Sequence, residues 1–188
     1  MQDSLFFRRK SLRSYLDTPV SRETLERVFE KTRWSPSPSN HQPWRFVVVT
    51  EPGQKAKFHD ALSRGNEWAA KAPVLVAVCA REKDDGVRDD DPVKYYQFAS
   101  GLATMALLLA AVDEGLLAHP MAGYDAPKLH EALSIPSEYH VMCIVSLGYQ
   151  GPIELLDERT RKKDESPRTR KPMNEIVSYD RFDFCDPA

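Results

Sequence analysis

Two short basic stretches lie near opposite ends of the chain, Arg9-Lys10-Ser11-Leu12-Arg13 and Arg168-Thr169-Arg170-Lys171. Guanidinium forks match phosphate oxygens bidentately, and a hydroxyl such as Ser11 adds a donor, so this combination suits a phosphate. Either stretch alone reads first as a solvated basic surface. Two of them in a chain of formal charge −2 point further, because one buried anion could tie both down. Neither is a Walker loop, and no GxGxxG occurs.

Two other stretches could hold a ligand. Ser35 to Trp44 packs three prolines, three serines, Asn40, His41 and Gln42 into ten residues. Proline fixes φ and bars a helix, so this is a stiff loop that can display polar groups, or a structural turn with an incidental Trp. Met121-Ala122-Gly123-Tyr124-Asp125 runs a glycine turn into a helix N-cap. The glycine would let a flat ligand approach the backbone, and free N–H groups could face it; an ordinary capped helix entry reads the same way.

Other chemistries lack their residues. His41, His59, His119, His130 and His140 show neither HExxH nor HxH spacing, so no metal site is read, and no GxSxG is present. Cys79 and Cys143 fall in apolar strand-like runs and Cys185 in the tail, with no CxxC. That pattern fits a reducing, cytoplasmic setting and poor nucleophiles. Twenty-six basic against 28 acidic residues give no support for a nucleic-acid or membrane partner. No signal peptide is read at the N-terminus, and the apolar run Leu102 to Val112 is short of the roughly 18 residues of a membrane span. The carboxylates between Arg81 and Pro92 lack calcium-loop spacing and are expected to form a solvated, mobile loop.

The elements that must position these stretches follow from periodicity. Short or amphipathic helices are expected near Ser4–Arg9, after Ser21 as N-cap, over Gln54–Arg64, around Asn66–Lys71, and after Asp125 with Pro127 in the first turn. Apolar strands are expected at Arg45–Thr50, Val74–Ala80 and His140–Leu147, the second buried on both faces. Tyr95–Glu114 reads as a long helix, apolar almost all round in its middle, and so surrounded by protein. Leu116–Gly123 is expected to be irregular. Ile176-Val177-Ser178-Tyr179 could add an edge strand. With 41% hydrophobic and 29% charged residues, a globular α+β chain follows, with a core over 1–152 and a charged extension over 153–188 that lies over the body or wraps a second subunit.

The order of these pieces resembles the nitroreductase family of FMN-dependent oxidoreductases. The likeness runs through Arg9 to Tyr15, Ser35 to Trp44, Asn66, Ala72-Pro73-Val74, Gly115-Leu116, Gly123-Tyr124-Asp125 and Arg168 to Pro172. It is most specific at Pro38-Ser39-Asn40-His41-Gln42-Pro43-Trp44. The resemblance implies a homodimer with a central, mostly antiparallel sheet flanked by helices. It implies FMN in the subunit interface and tail exchange. By the same resemblance, Arg9 and Ser11, with Lys10 alongside, would grip the FMN phosphate together with Arg168 and Arg170. Arg13 would lie near the flavin N1/C2 edge. Pro38, Ser39 and Asn40 would come from the other subunit to the phosphate and ring. Gln42 and Asn66 would meet the ring edge or ribityl chain, and the Ala122-Gly123 backbone would donate toward N5. The activity implied is ping-pong electron transfer from NADH or NADPH to a small nitroaromatic, quinone or other conjugated acceptor, with no side-chain base required. A non-catalytic flavin-binding or flavin-processing protein shares the same site. Lys10, Leu117 and His119-Pro120-Met121 depart from the usual family residues.

Overall fold

A computed structural model describes residues 3–86 and 92–184. Four strands form one antiparallel sheet in the order β1-β2-β4-β3: β1 Trp44–Val49, β2 Val74–Ala80, β3 Leu117–Met121 and β4 His140–Gly148. The helices are α1 Leu5–Arg8, α2 Arg22–Thr32, α3 Pro52–His59, α4 Tyr95–Asp113, α5 Ala126–Leu133 and α6 Glu158–Glu165. Strand alternation sorts two cores. Leu75, Ala77 and Cys79 face a cluster with Phe58 of α3 and Leu129 of α5. Val74, Val76 and Val78 face Leu25 and Val28 of α2 and Leu107 and Ala111 of α4. The sheet is therefore sandwiched between helical layers, and β2 is buried at every position, as its unbroken apolar run requires.

Local rules explain the helix starts. Ser21 accepts from Thr24 N at the head of α2, and Asp125 from Lys128 N at the head of α5. Ser134 ends α5 in the left-handed region at φ 52°. Three stretches differ from expectation. Residues 117–121 are not irregular but pair with β4 from Leu117 opposite Gly148 to Met121 opposite Ile144. Pro120 is tolerated there because β3 is an edge strand and its missing N–H breaks no ladder. The extension is helical at α6, whose Asp157 cap accepts from both the backbone and the hydroxyl of Thr160. The suggested edge strand at Ile176–Tyr179 is absent; Met173–Glu175 forms a 3-10 turn, and most of residues 176–184 is exposed.

α4 packs one face on the sheet and α2, while Phe98 and Gly101 are exposed and Leu102, Met105 and Leu109 only half-buried. By length and composition this helix could cross a membrane, although the shorter run within it could not; half of it is already buried inside this chain.

The segment that carries Arg9 to Arg13 is fastened to the far end of β4. Tyr15 bridges to Gln150, and its hydroxyl lies 2.8 Å from Ser146 Oγ. Leu16 N donates to Tyr149 O, and Gly151 N donates to Ser14 O. This crossing needs glycine at 148. A Cβ there would stand 2.5 Å from Pro73 Cδ and 2.9 Å from Tyr15 Cδ1. Gly148→Ala is expected to destabilise the fold by about 1–3 kcal/mol through overpacking, read as a lower urea midpoint.

Candidate active site

The two basic stretches meet. Residues Arg9 to Arg13 and Lys163 to Arg170 line one solvent-open cleft of about 650 Å³. Arg168 Nη1 donates to Phe7 O at 2.8 Å, which ties the extension back to α1. Arg9 is half-buried, and its Nη1 donates to Ser11 Oγ at 2.9 Å. Burial first, then the charges of Arg168 and Arg170, hold the Arg9 guanidinium below its usual pKa. Among the described residues, no carboxylate forms an ion pair with Arg9, Arg168 or Arg170. Like charges gathered without an ion-pair partner of their own repel one another, so an anion in this cleft would relieve them. Lys171 turns away to Glu175 at 3.5 Å.

Arg13 is held differently. Its backbone N donates to Asp164 Oδ2 at 2.7 Å and its Nη1 to Asp164 Oδ1 at 2.5 Å. Its guanidinium carbon lies 5.6 Å from the Trp68 ring centre. Trp68 in turn stacks parallel on Tyr15 and packs 4.6 Å, centre to centre, from His119.

The imidazole of His119 is fixed by Leu12 O, 3.0 Å from Nδ1, which assigns the proton to Nδ1. Burial outweighs that bond and depresses its pKa to about 4. The unfolded chain, with His near 6.5, therefore binds the extra proton between those values. Stability from this group is full above about pH 6.5 and is lost as pH falls toward 4, by on the order of 3 kcal/mol. Urea titrations from pH 7 to 4 should show this slope, and His119→Gln should flatten it.

The turn at Ala122-Gly123 is exposed at Ala122, but the expected reason for the glycine changes. A Cβ at Gly123 would lie 2.4 Å from Ser63 Oγ and 2.8 Å from Asn66 Nδ2. The close approach is made by this chain's own Ser63–Asn66 turn. Asn66 Nδ2 donates to Gly123 O at 2.9 Å and Ser63 N to the same oxygen at 3.1 Å. Asn66 thus fixes the turn that presents Ala122 and Gly123.

The proline loop is strained. Ser39, Asn40 and Gln42 sit at φ 47°, 56° and 50°, a region that side chains seldom occupy. Gln42 Nε2 donates to Asn40 O and Oδ1, and Ser37 Oγ accepts from Gln42 N. Residues 39–42 are exposed and half-buried Pro38 leads into them, while Pro43 and Trp44 anchor the loop in the core. Exposed residues held in costly conformations are a feature of functional loops. One support had no signal in the sequence: Asp85, its side chain 2% exposed, lies 3.1 Å from His41 Nδ1. The acidic segment is thus not simply solvated. Asp84 also pairs with Arg81 and Arg45. Residues 87–91 of that segment lie outside the described residues, as does Cys185.

The loop and the cleft do not meet within one chain. Trp44 pairs with Ala80 and Ala80 with His140, at the start of β4, whereas the cleft hangs on the residues that follow its end. At 3.3 Å per residue, β4 separates them by roughly 26 Å.

An antiparallel sheet in the order β1-β2-β4-β3 between helical layers is a fold shared with nitroreductase family proteins. The sequence profile described as "Nitroreductase family" matches residues 7–67 and 63–149, and the chain belongs to that family of oxidoreductases. A Xanthomonas oryzae pv. oryzae protein provisionally named NADH dehydrogenase/NAD(P)H nitroreductase is 31% identical over 185 residues, covering 88% of this chain and 94% of its own. A crystal structure of an oxidoreductase containing FMN superimposes with a TM-score of 0.87 at 30% identity, over 97% of this chain and 93% of that one. A nitroreductase family protein of Clostridium difficile 630 gives 0.77 at 28% identity, over 94% and 96%.

Proposed function

We propose that this protein is an FMN-dependent oxidoreductase that moves electrons from NADH or NADPH to a small nitroaromatic, quinone or other conjugated acceptor. The observation that carries the reading is the convergence of Arg9, Arg168 and Arg170, without a carboxylate partner among the described residues, in a cleft wide enough for a phosphorylated ligand. These residues fit a dianionic phosphate, and the donor set is all cationic or hydroxyl. Bound FMN would supply the two-electron carrier, reduced by the nicotinamide in one half-reaction and reoxidised by the acceptor in the next.

The chain's own groups would do the rest. Arg9, Ser11, Arg168 and Arg170 hold the phosphate, with Lys10 adding positive charge. Arg13 sets a cation beside the ring, where negative charge develops on reduction. Asn66 fixes the Ala122-Gly123 turn, whose backbone N–H groups offer donors to the ring. The strained loop of a second copy, through Pro38, Ser39, Asn40 and Gln42, closes the site. A dimer is supported by the separation of loop and cleft, by the open face of α4, and by Met173, Ile176, Tyr179 and Phe182, which are 55–86% exposed. In that assembly residues 153–188 embrace the second copy, and the free thiols at Cys79 and Cys143 suit the cytoplasm.

The purified protein should be yellow, bleach under argon with NADH or NADPH, and recover its colour when an acceptor is added. A colourless protein that takes up no FMN overturns the reading. One that holds FMN but never bleaches is a flavin carrier.

A further inference from the structure

Arg13 and Asp164 stand 151 residues apart in sequence, yet they make the closest charge contact in the cleft. Asp164 accepts from both the backbone N and Nη1 of Arg13, and its side chain is 2% exposed against 21% for the arginine. Out of water, each charge of such a pair is felt strongly by the other and by whatever lies beside them. No other hydrogen bond from the Arg13 guanidinium is made among the described residues, so Nε and Nη2 keep donors for a ligand. Trp68 covers one side of the guanidinium and prevents it from swinging away. The other charges on the cleft, Arg9, Lys10, Lys163, Glu165, Arg168 and Arg170, are half or fully exposed and better screened.

We infer that Asp164 is a positioning residue for the flavin. It holds Arg13 against Trp68 and offsets part of its charge, so that the reduction potential of bound FMN reflects the Arg13–Asp164 pair, not Arg13 alone. The inference rests on the FMN reading above. An unopposed cation beside the ring stabilises the reduced, more negative flavin; a buried carboxylate bound to that cation works against it. A helix that only anchored the extension would need no buried charge there.

The test is the midpoint potential of FMN bound to the full-length protein, measured by spectroelectrochemistry. Asp164→Asn keeps the shape and an oxygen acceptor for Arg13 but removes the negative charge. It is expected to shift the potential positive, and so to tighten reduced FMN relative to oxidised FMN. Arg13→Gln is expected to shift it negative, and the double variant to fall between the two. An Asp164→Asn protein that is folded by circular dichroism, binds FMN and keeps the wild-type potential overturns the inference and leaves the proposed function standing. Should Asp164→Asn not fold, Arg13→Gln decides: a potential equal to wild type overturns it. A wild-type protein that binds no FMN overturns both.

Discussion

Arg9→Ala is expected to weaken FMN binding roughly ten- to a hundredfold, the 1.5–3 kcal/mol scale of a charge-assisted hydrogen bond. Arg170→Ala should fall in the same range. The apoprotein should not lose stability in step, because Arg9 makes no ion pair among the described residues and faces two like charges. Loss of ligand affinity without loss of fold separates a binding residue from a structural one. Affinity should also fall as salt rises, since the cleft is open to solvent and its charges are screened. Quenching of FMN fluorescence on titration with apoprotein, at fixed ionic strength, measures both effects. Unchanged affinity in Arg9→Ala and Arg170→Ala together would remove these residues from the site.

Much of the scaffold for that cleft could be read from local sequence, and its failures have physical causes. β2 declares itself because a strand buried at every position must be apolar throughout, and α4 because its middle is apolar almost all round. The caps at Ser21 and Asp125 are legible because capping is a contact between near neighbours. β3 is not, since Leu-Ala-His-Pro-Met has neither alternation nor β-branched residues and is a strand only because β4 lies beside it. α6 is nearly all charged, so periodicity finds no apolar stripe in it. The cation cleft is legible as two remote clusters that an anion could join. The Asp164 carboxylate that claims Arg13 is not, because nothing local marks one acidic residue in a charged run as buried. Gly123 teaches the reverse lesson. A glycine in a suggestive turn reads as room for a ligand, and on the side where a Cβ would stand the space is filled by Ser63 and Asn66.

Gly101→Glu is expected to give a well-folded monomer that retains almost no flavin. Gly101 lies in the middle of α4, is exposed, and has nothing within 4 Å of the position its Cβ would take. Within one chain the substitution therefore meets no obstacle, and it removes a helix-interior glycine, a gain of about 0.5–1 kcal/mol in helix propensity. Any damage must come from whatever lies against that face. Phe98, Leu102, Met105 and Leu109 flank Gly101 at helical spacing and remain partly open, so a second apolar surface there would be forced to bury an unpaired carboxylate, at a cost of several kcal/mol. The flavin follows from the separation of the site. A monomer keeps the arginines but cannot bring the loop across roughly 26 Å of β4 to its own cleft. If Ser39, Asn40 and Gln42 each give the flavin one hydrogen bond worth about 1 kcal/mol, losing them corresponds to roughly a hundredfold weaker FMN. Sedimentation and flavin absorbance on the same sample check both halves. A Gly101→Glu protein that stays dimeric and yellow would place the interface elsewhere. A monomer that stays yellow would show that the strained loop serves something other than the flavin.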